Sequence, residues 1–414
     1  MISRQNLALY GGSMAHPSSK RVRVVSPGAS LIGQEEIQAV TNVLRRQILY
    51  RHWGQEVSLL EKELAQRISS SYVVAVNSGT SALSCAFAAL GIGSNDEVIV
   101  PCYSFIGVAS AVLSSGATPS FCEIDKTLTL SVDDVSNLIN KRTKAIVAVH
   151  MRGAPCEMDA LEKLCYEHQI HLIEDVSQSC GASFKGKPLG TYGSLGCFSL
   201  QHFKVITTGE GGFLVTKEPE LFKRIQFQHD ASAFWANNGT SVPNIESSQV
   251  ALNLRMGELE GALGRVQLGK LDSIIFKLRD LKERLIRKLS SVPGFERRTF
   301  HDAEGEVALA LMLQIDKALP VKEIEKAVIA EGVEASLLLP SQNCSPERHF
   351  CEGWGKILGA KRLIGENRCN FSRSLLNRTL QIQIDPNYSI QDIDEIAEGV
   401  RKVFHYFVGQ KKRQ

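Results

Sequence analysis

From residue 73 onward the chain alternates short apolar runs with stretches whose apolar residues recur at helical spacing. The runs at 73–76, 98–100, 119–122, 145–149 and 171–173 are each bounded by turn residues and predict buried strands. Between them, residues 81–89, 105–114, 132–139 and 158–168 predict helices. Repetition of strand, helix and strand implies a mainly parallel sheet with helices on both faces. Ligands of such sheets bind beyond the carboxyl ends of the strands, so chemistry is to be sought in the loops there.

A second pattern starts at Met256. Leu259, Leu263, Val266, Leu271, Ile274, Leu278, Leu281, Leu285 and Leu289 follow mostly at intervals of three or four, which predicts one long amphipathic helix. About 34 residues of helix span roughly 50 Å, enough to bridge two units. The expected organisation is an N-terminal arm at 1–24, a large domain at 25–270 and a smaller α+β domain at 271–414. The small domain has strand candidates at 307–315 and 379–384 and a last helix at 390–407, whose acidic start suits the positive end of the helix dipole. Residues 340–372, rich in Pro and Gly, predict a long loop.

Composition narrows the class. The 414 residues are 43% hydrophobic and 22% charged, an ordinary globular balance. A net charge of +3 gives no electrostatic case for nucleic acid, and the Lys411, Lys412, Arg413 run reads as a solubilising tail. No window reaches the roughly 20 apolar residues of a membrane span, and the N-terminus has no export-signal core. The ten cysteines include no CxxC pair, which excludes the usual zinc spacing; most sit in apolar runs as reduced thiols. A cytoplasmic setting with no membrane or nucleic-acid partner and no metal is the expectation.

Three local constellations carry candidate chemistry. Asn77-Ser78-Gly79-Thr80-Ser81 follows a strand and opens a helix, where small residues let N–H groups converge on an anion or simply cap the helix. Asp175, in Ile173-Glu174-Asp175-Val176-Ser177-Gln178, ends a strand otherwise too apolar for a carboxylate; it either meets a cation or donor, or serves a turn. Lys204 lies between the apolar Phe198-Ser199-Leu200 and the Gly-rich Gly209-Glu210-Gly211-Gly212, a place for a Schiff-base lysine or for a snorkelling one. His202 has no second histidine at ligand spacing and reads as a hydrogen-bonding or substrate-side residue. In combination the three meet the needs of a pyridoxal phosphate site.

With these motifs the chain resembles the DegT/StrS family of sugar aminotransferases, over about residues 25 to 290 well and loosely beyond. The resemblance implies a fold of the aspartate-aminotransferase type (fold type I), with a mainly parallel seven-stranded sheet, and a homodimer with shared active sites. It implies that Lys204 carries the cofactor and shuttles the proton, and that Asp175 keeps the pyridine nitrogen protonated. Gln178 then meets the ring oxygen or face, Phe105 stacks on the ring or packs the core, and Gly79, Thr80 and Ser199 hold the phosphate. Asn253 reaches that phosphate from the partner subunit. Family members commonly read Asn-Tyr-Arg where this chain has Asn253-Leu254-Arg255, and a Phe-His pair where it has Leu200-Gln201-His202. Gln201 and Leu9-Tyr10-Gly11-Gly12 are similar to the branch that aminates keto-cyclitols, and the His-Pro substrate loop of many nucleotide-sugar members is not evident in 335–372. The function implied is transfer of an amino group from glutamate or glutamine to a keto-sugar or keto-cyclitol, in secondary-metabolite or cell-surface sugar synthesis. The alternatives are a sugar dehydratase of the same fold, against which Lys204 argues because histidine replaces it there, and a non-catalytic cofactor-binding regulator.

Overall fold

A computed structural model describes residues 2–17, 26–70, 72–232, 251–339 and 369–411. In chain order the elements are α1 (Gln34–Arg46), α2 (Glu56–Ile68), β1 (Tyr72–Val76), α3 (Gly79–Ala89), β2 (Glu97–Pro101), α4 (Ile106–Ser114), β3 (Thr118–Cys122), α5 (Val132–Leu138), β4 (Thr143–Val149), α6 (Met158–His168) and β5 (His171–Asp175). A small hairpin, β6 (Ser183–Phe184) and β7 (Lys187–Pro188), precedes β8 (Leu195–Ser199), β9 (Gly212–Thr216) and α7 (Pro219–His229). The long α8 (Glu258–Lys288) leads to β10 (Phe295–Arg297), β11 (Ala310–Ile315), α9 (Val321–Ala330), β12 (Ala335–Leu337), α10 (Asn370–Leu376), β13 (Thr379–Gln383) and α11 (Ile390–Lys411).

Seven strands form one sheet in the order β1-β9-β8-β5-β4-β2-β3. Only β9 runs against the rest: it pairs antiparallel with β1 and β8, whereas β8, β5, β4, β2 and β3 pair in parallel. The pleat sorts side chains to two apolar layers. In β4, Ile146 and Ala148 join one cluster and Ala145, Val147 and Val149 the other; in β9, Phe213 and Val215 oppose Leu214. Both faces are therefore buried, as the near-continuous apolar runs predict. The carboxyl ends of β1, β2, β4, β5 and β8 all open on one edge.

The long helix is real and slightly shorter than its apolar repeat suggests, 31 residues or about 45 Å. Gly261 and Gly264 in its first turns each forgo about 1 kcal/mol of helix propensity. In exchange α2 packs directly on the backbone: a Cβ on Gly261 would lie 2.8 Å from Val57 N, and one on Gly264 would lie 2.9 Å from Leu60 Cδ2. Glu258, buried in the first turn of α8, accepts from Glu56 N and Val57 N at 2.8 and 3.1 Å and so caps α2. At the other end Arg284 donates to both oxygens of Asp394 on α11, at 2.8 and 2.7 Å. The helix thus runs from the large sheet to the four-stranded sheet β10-β11-β13-β12, and one apolar cluster is continuous between them. The boundary expected at residue 270 falls inside it.

The described part of the N-terminal arm packs against α9 and α11. The buried Glu331 carboxylate accepts from Ala8 N and Ala15 N and pairs with Lys402 at 2.7 Å. Two expectations need correction. The strand expected at 307–315 starts only at Ala310, because Ala308 takes φ 69°. Of the loop expected at 340–372, residues 340–368 lie outside the described residues, and its end is helical, as α10 begins at Asn370. Lys412 and Arg413 also lie outside the described residues. The acidic Asp392 lies in the first turn of the last helix and accepts from Ser389 N at 2.8 Å. Among the described residues no helix is long and apolar enough to cross a membrane.

Candidate active site

Loops from the carboxyl edge of the sheet converge on a cleft of about 550 Å³, a size suited to a cofactor and small substrate. Lys204, Asp175, Gly79, Thr80, Phe105, Gln178 and Ser199, all expected at the site, line it.

β1 delivers the first wall. Its chain turns at Ser78, whose Oγ accepts from Ser81 N at 3.0 Å and caps α3. The two readings of this segment, cap and anion cradle, are thus compatible: Ser78 serves the helix while Gly79 and Thr80 present first-turn N–H groups that have no intrahelical acceptor. Gly79 is packed so closely that a Cβ there would lie 2.7 Å from Ser199 Cβ and 3.1 Å from Ser177 Oγ. Only a bare backbone brings α3 this near to the end of β8. On the same wall Phe105, the N-cap residue of α4, is about half exposed and lies against Gly107.

β5 delivers the acid. Asp175 is buried at the strand's last position, and its Oδ1 accepts from Ser177 N at 2.9 Å. Gln178, one turn on, uses Oε1 to accept from Arg152 N at 3.2 Å. Beside Asp175, as its register partner on β8, lies Cys197, whose thiol is pushed well above its ordinary range by burial and, secondarily, by the Asp175 charge. The lysine follows from β8. Ser199 ends the strand; Leu200 N donates to Gly211 O, and Lys204 N donates to Gln201 O at 2.9 Å. Lys204 O in turn accepts from Gly28 N, so its turn is held from both sides. The flanking Val205, Ile206, Thr207 and Thr208 are buried, whereas Lys204 is only partly covered and faces the cleft.

Two further residues lie away from this chain's own cleft, one of them Asn253, which the resemblance assigns to the partner subunit's site. Asn253 is exposed and pairs in an antiparallel bridge with Asp230. It does not cap the following helix either, since the N-cap of α8 is Gly257. His202 is exposed, and its ring packs edge-on against Phe203, which does line the cleft. Sequence reasoning passed over Ser177, Arg152 and Leu309. Ser177 stands two residues from Asp175 and was within reach of the local pattern. Leu309 comes from the four-stranded unit, 105 residues beyond Lys204, and no local signal announces it.

This arrangement accepts pyridoxal phosphate: the crowded Gly79 cradle suits a phosphate, the strand-end carboxylate a protonated ring nitrogen, and the turn lysine a carbonyl carbon. Comparison with known proteins agrees. The chain is 32% identical over 397 residues to the spore coat polysaccharide biosynthesis protein SpsC of Bacillus subtilis, covering 93% of this chain and 98% of that one. It is 34% identical over 276 residues to an L-glutamine:2-deoxy-scyllo-inosose aminotransferase of Streptomyces lividus, covering 65% of this chain and 64% of that one. Its structure superposes on that of an aminotransferase from Psychrobacter cryohalolentis with a TM-score of 0.83 at 27% identity, over 93% of this chain and all of the other. The fold is therefore the fold type I expected from the motifs. Residues 30–401 match the DegT/DnrJ/EryC1/StrS aminotransferase family, and the chain belongs to it.

Proposed function

We propose that this aminotransferase uses pyridoxal phosphate to move an amino group from glutamate or glutamine to the carbonyl of a keto-sugar or keto-cyclitol. The observation that carries the reading is the meeting of Lys204, Asp175 and Gly79, from three distant stretches, in one cleft. The named relatives support the acceptor class, one in polysaccharide synthesis and one acting on an inosose. When bound, the cofactor supplies an electron sink for the bond broken at the donor carbon. Lys204 would anchor it, would take the proton from the donor α-carbon in the first half and would deliver a proton to the acceptor carbon in the second. Asp175 holds a proton at the ring nitrogen, Gln178 and Phe105 orient the ring, and Gly79, Thr80 and Ser199 bind the phosphate. Lysine rather than histidine at position 204 favours amino transfer over dehydration.

The test is direct. Protein loaded with pyridoxal phosphate should change absorbance with L-glutamate or L-glutamine, and its aminated form should be reoxidised by members of a panel of keto-sugars and inososes. Borohydride reduction and peptide mapping should label Lys204; a label on Lys185 or Lys187 instead would overturn the assignment.

The working unit in this reading is a homodimer in the cytoplasm, with a large domain at 25–270 and a small one at 271–414. Trp53 and Leu252 are well exposed; Trp53 packs edge-on to Tyr50, which lies under the Arg255 guanidinium beside Asn253. An apolar surface here supports a partner that would carry Asn253 into the neighbouring site. Mixing Lys204→Ala with Asn253→Asp subunits should then restore partial activity through hybrids with one intact site. Subunit exchange verified by mass spectrometry without recovery would refute the shared site.

A further inference from the structure

The turn that follows β4 puts a second cation on the cleft wall. Arg152 belongs to the 3-10 turn Met151–Gly153 and lines the cleft beside Val149, Asp175 and Gln178. Three contacts fix this turn. Arg152 N donates to Gln178 Oε1 at 3.2 Å, Arg298 Nη2 donates to Met151 O at 2.9 Å, and Val307 N donates to Gly153 O at 3.0 Å. Arg298 is itself buried, so a guanidinium withdrawn from water serves to hold a backbone turn in place. Arg152 takes φ 57° and ψ 40°, left-handed values that are uncommon for a non-glycine residue. The turn that carries this side chain is thus tied to both the large sheet and the segment leading to β11.

The charged residues lining the described cleft are Arg152, Asp175, Lys204 and Glu210. Lys204 and Asp175 have roles toward the cofactor in the reading above, and Arg152 is the other cation on the lining. Of the two substrates, the amino donor carries an α-carboxylate whichever acceptor is used, and in a keto-cyclitol reaction that carboxylate is the only substrate anion at the reacting end. A planar guanidinium held on a rigid turn is suited to a carboxylate, which it can meet with two parallel N–H donors. We propose that Arg152 binds the α-carboxylate of the amino donor and thereby makes the site select α-amino acids over simple amines. This rests on the aminotransferase reading and extends it to donor recognition.

The experiment uses the cofactor-loaded enzyme and its Arg152→Met and Arg152→Gln variants with three ligands. L-glutamine has both amine and carboxylate, 4-aminobutanamide lacks only the carboxylate, and 4-carbamoylbutanoate lacks only the amine. Cofactor absorbance reports the first two, and calorimetry reports the third without any reaction. Loss of one partner of a buried charge pair should raise Kd for both carboxylates on the order of 30-fold, and leave 4-aminobutanamide within about twofold. Equal losses for all three ligands, or none for the carboxylates, would overturn the assignment. Retained cofactor absorbance and melting temperature identify a folded variant, and the glutamine substitution carries the test if the methionine one fails to fold. If wild-type absorbance ignores both amines and L-glutamate as well, the aminotransferase reading fails, while binding of 4-carbamoylbutanoate still decides whether Arg152 holds a carboxylate.

Discussion

Replacing Glu174 by glutamine keeps the side chain's size and removes only its charge and half of its accepting capacity. Glu174 has no exposed surface. Its Oε1 accepts from Tyr192 N at 2.7 Å and Gly193 N at 3.0 Å, and its Oε2 accepts from Gly190 N at 2.7 Å and from His150 Nε2 at 3.2 Å. The imidazole must donate from Nε2, because its Nδ1 accepts from Cys156 N at 3.1 Å. Two donors therefore converge on each oxygen. In glutamine one end becomes an amide NH2, and whichever way the amide is turned two contacts become donor against donor. A buried donor without an acceptor costs about 1–3 kcal/mol, so two cost about 2–6 kcal/mol. That is a large share of the 5–15 kcal/mol by which a typical domain is stable, on the order of half. Urea unfolding of the cofactor-free protein should show the midpoint falling with little change in slope. Since the 190–193 turn leads into β8 and Asp175 is the next residue, cofactor affinity should fall as well. A Glu174→Gln protein within about 0.5 kcal/mol of wild type, the range of a neutral surface change, would refute the accounting.

Gly79→Ala, at the first helical position where the interior gain in helix propensity does not apply, must place a methyl 2.7 Å from Ser199 Cβ, an overpacking penalty of about 1–3 kcal/mol, so the melting temperature should drop. Adding Ser199→Gly should recover the melting temperature without recovering cofactor affinity; recovery of both would show that neither residue serves the phosphate. Asp175→Asn should retain the fold, hold the cofactor less tightly and slow proton abstraction by about 100-fold or more, as expected when a preorganised charge opposite a reacting group is removed; a normal half-reaction rate would show the role to be misassigned. Burial and the Arg51 charge push the His229 imidazole down to about 4, below the roughly 6.5 of an unfolded chain. Protonation then favours unfolding, so the contribution is complete above pH 6.5 and is lost as pH falls toward 4; His229→Gln should flatten the fall in urea midpoint between pH 7 and pH 5.

The site residues legible in the sequence are those whose oddity is local. A carboxylate at the end of Leu172-Ile173, a lysine beside Val205-Ile206 and a glycine opening a helix each clash with their neighbours' chemistry, and all three line the cleft. The central strands were legible for the same reason, since burial on both faces leaves unbroken apolar runs. β9 was harder to place: its direction depends on the Lys204 turn reversing the chain, which periodicity does not encode. Val57, Leu60, Leu64 and Ile68 in α2 repeat at intervals of three and four and are all buried, so that helix was open to the same test that found α8. Arg152 and Leu309 were out of reach, because the 151–153 turn that carries Arg152 meets the segment that carries Leu309 through Val307, far along the chain from that turn.

Glu174 and Asp175 show why neighbouring acids cannot be assigned from chemistry alone. In the sequence they are two adjacent carboxylates on one apolar strand, each as improbable as the other. The pleat separates them, because successive strand residues point to opposite faces. On one face Glu174 meets four donors from the chain itself and is fully engaged by the fold. On the other, Asp175 meets one backbone N–H from Ser177 and reaches the cleft. A carboxylate oxygen that the fold does not consume is one that can serve a ligand. The two amide substitutions should therefore separate cleanly: Glu174→Gln should move the urea midpoint of the cofactor-free protein, and Asp175→Asn should leave that midpoint in place while slowing the half-reaction. Stability losses of similar size in both would mean that Asp175 is as structural as its neighbour, and would remove the basis for giving it a chemical role.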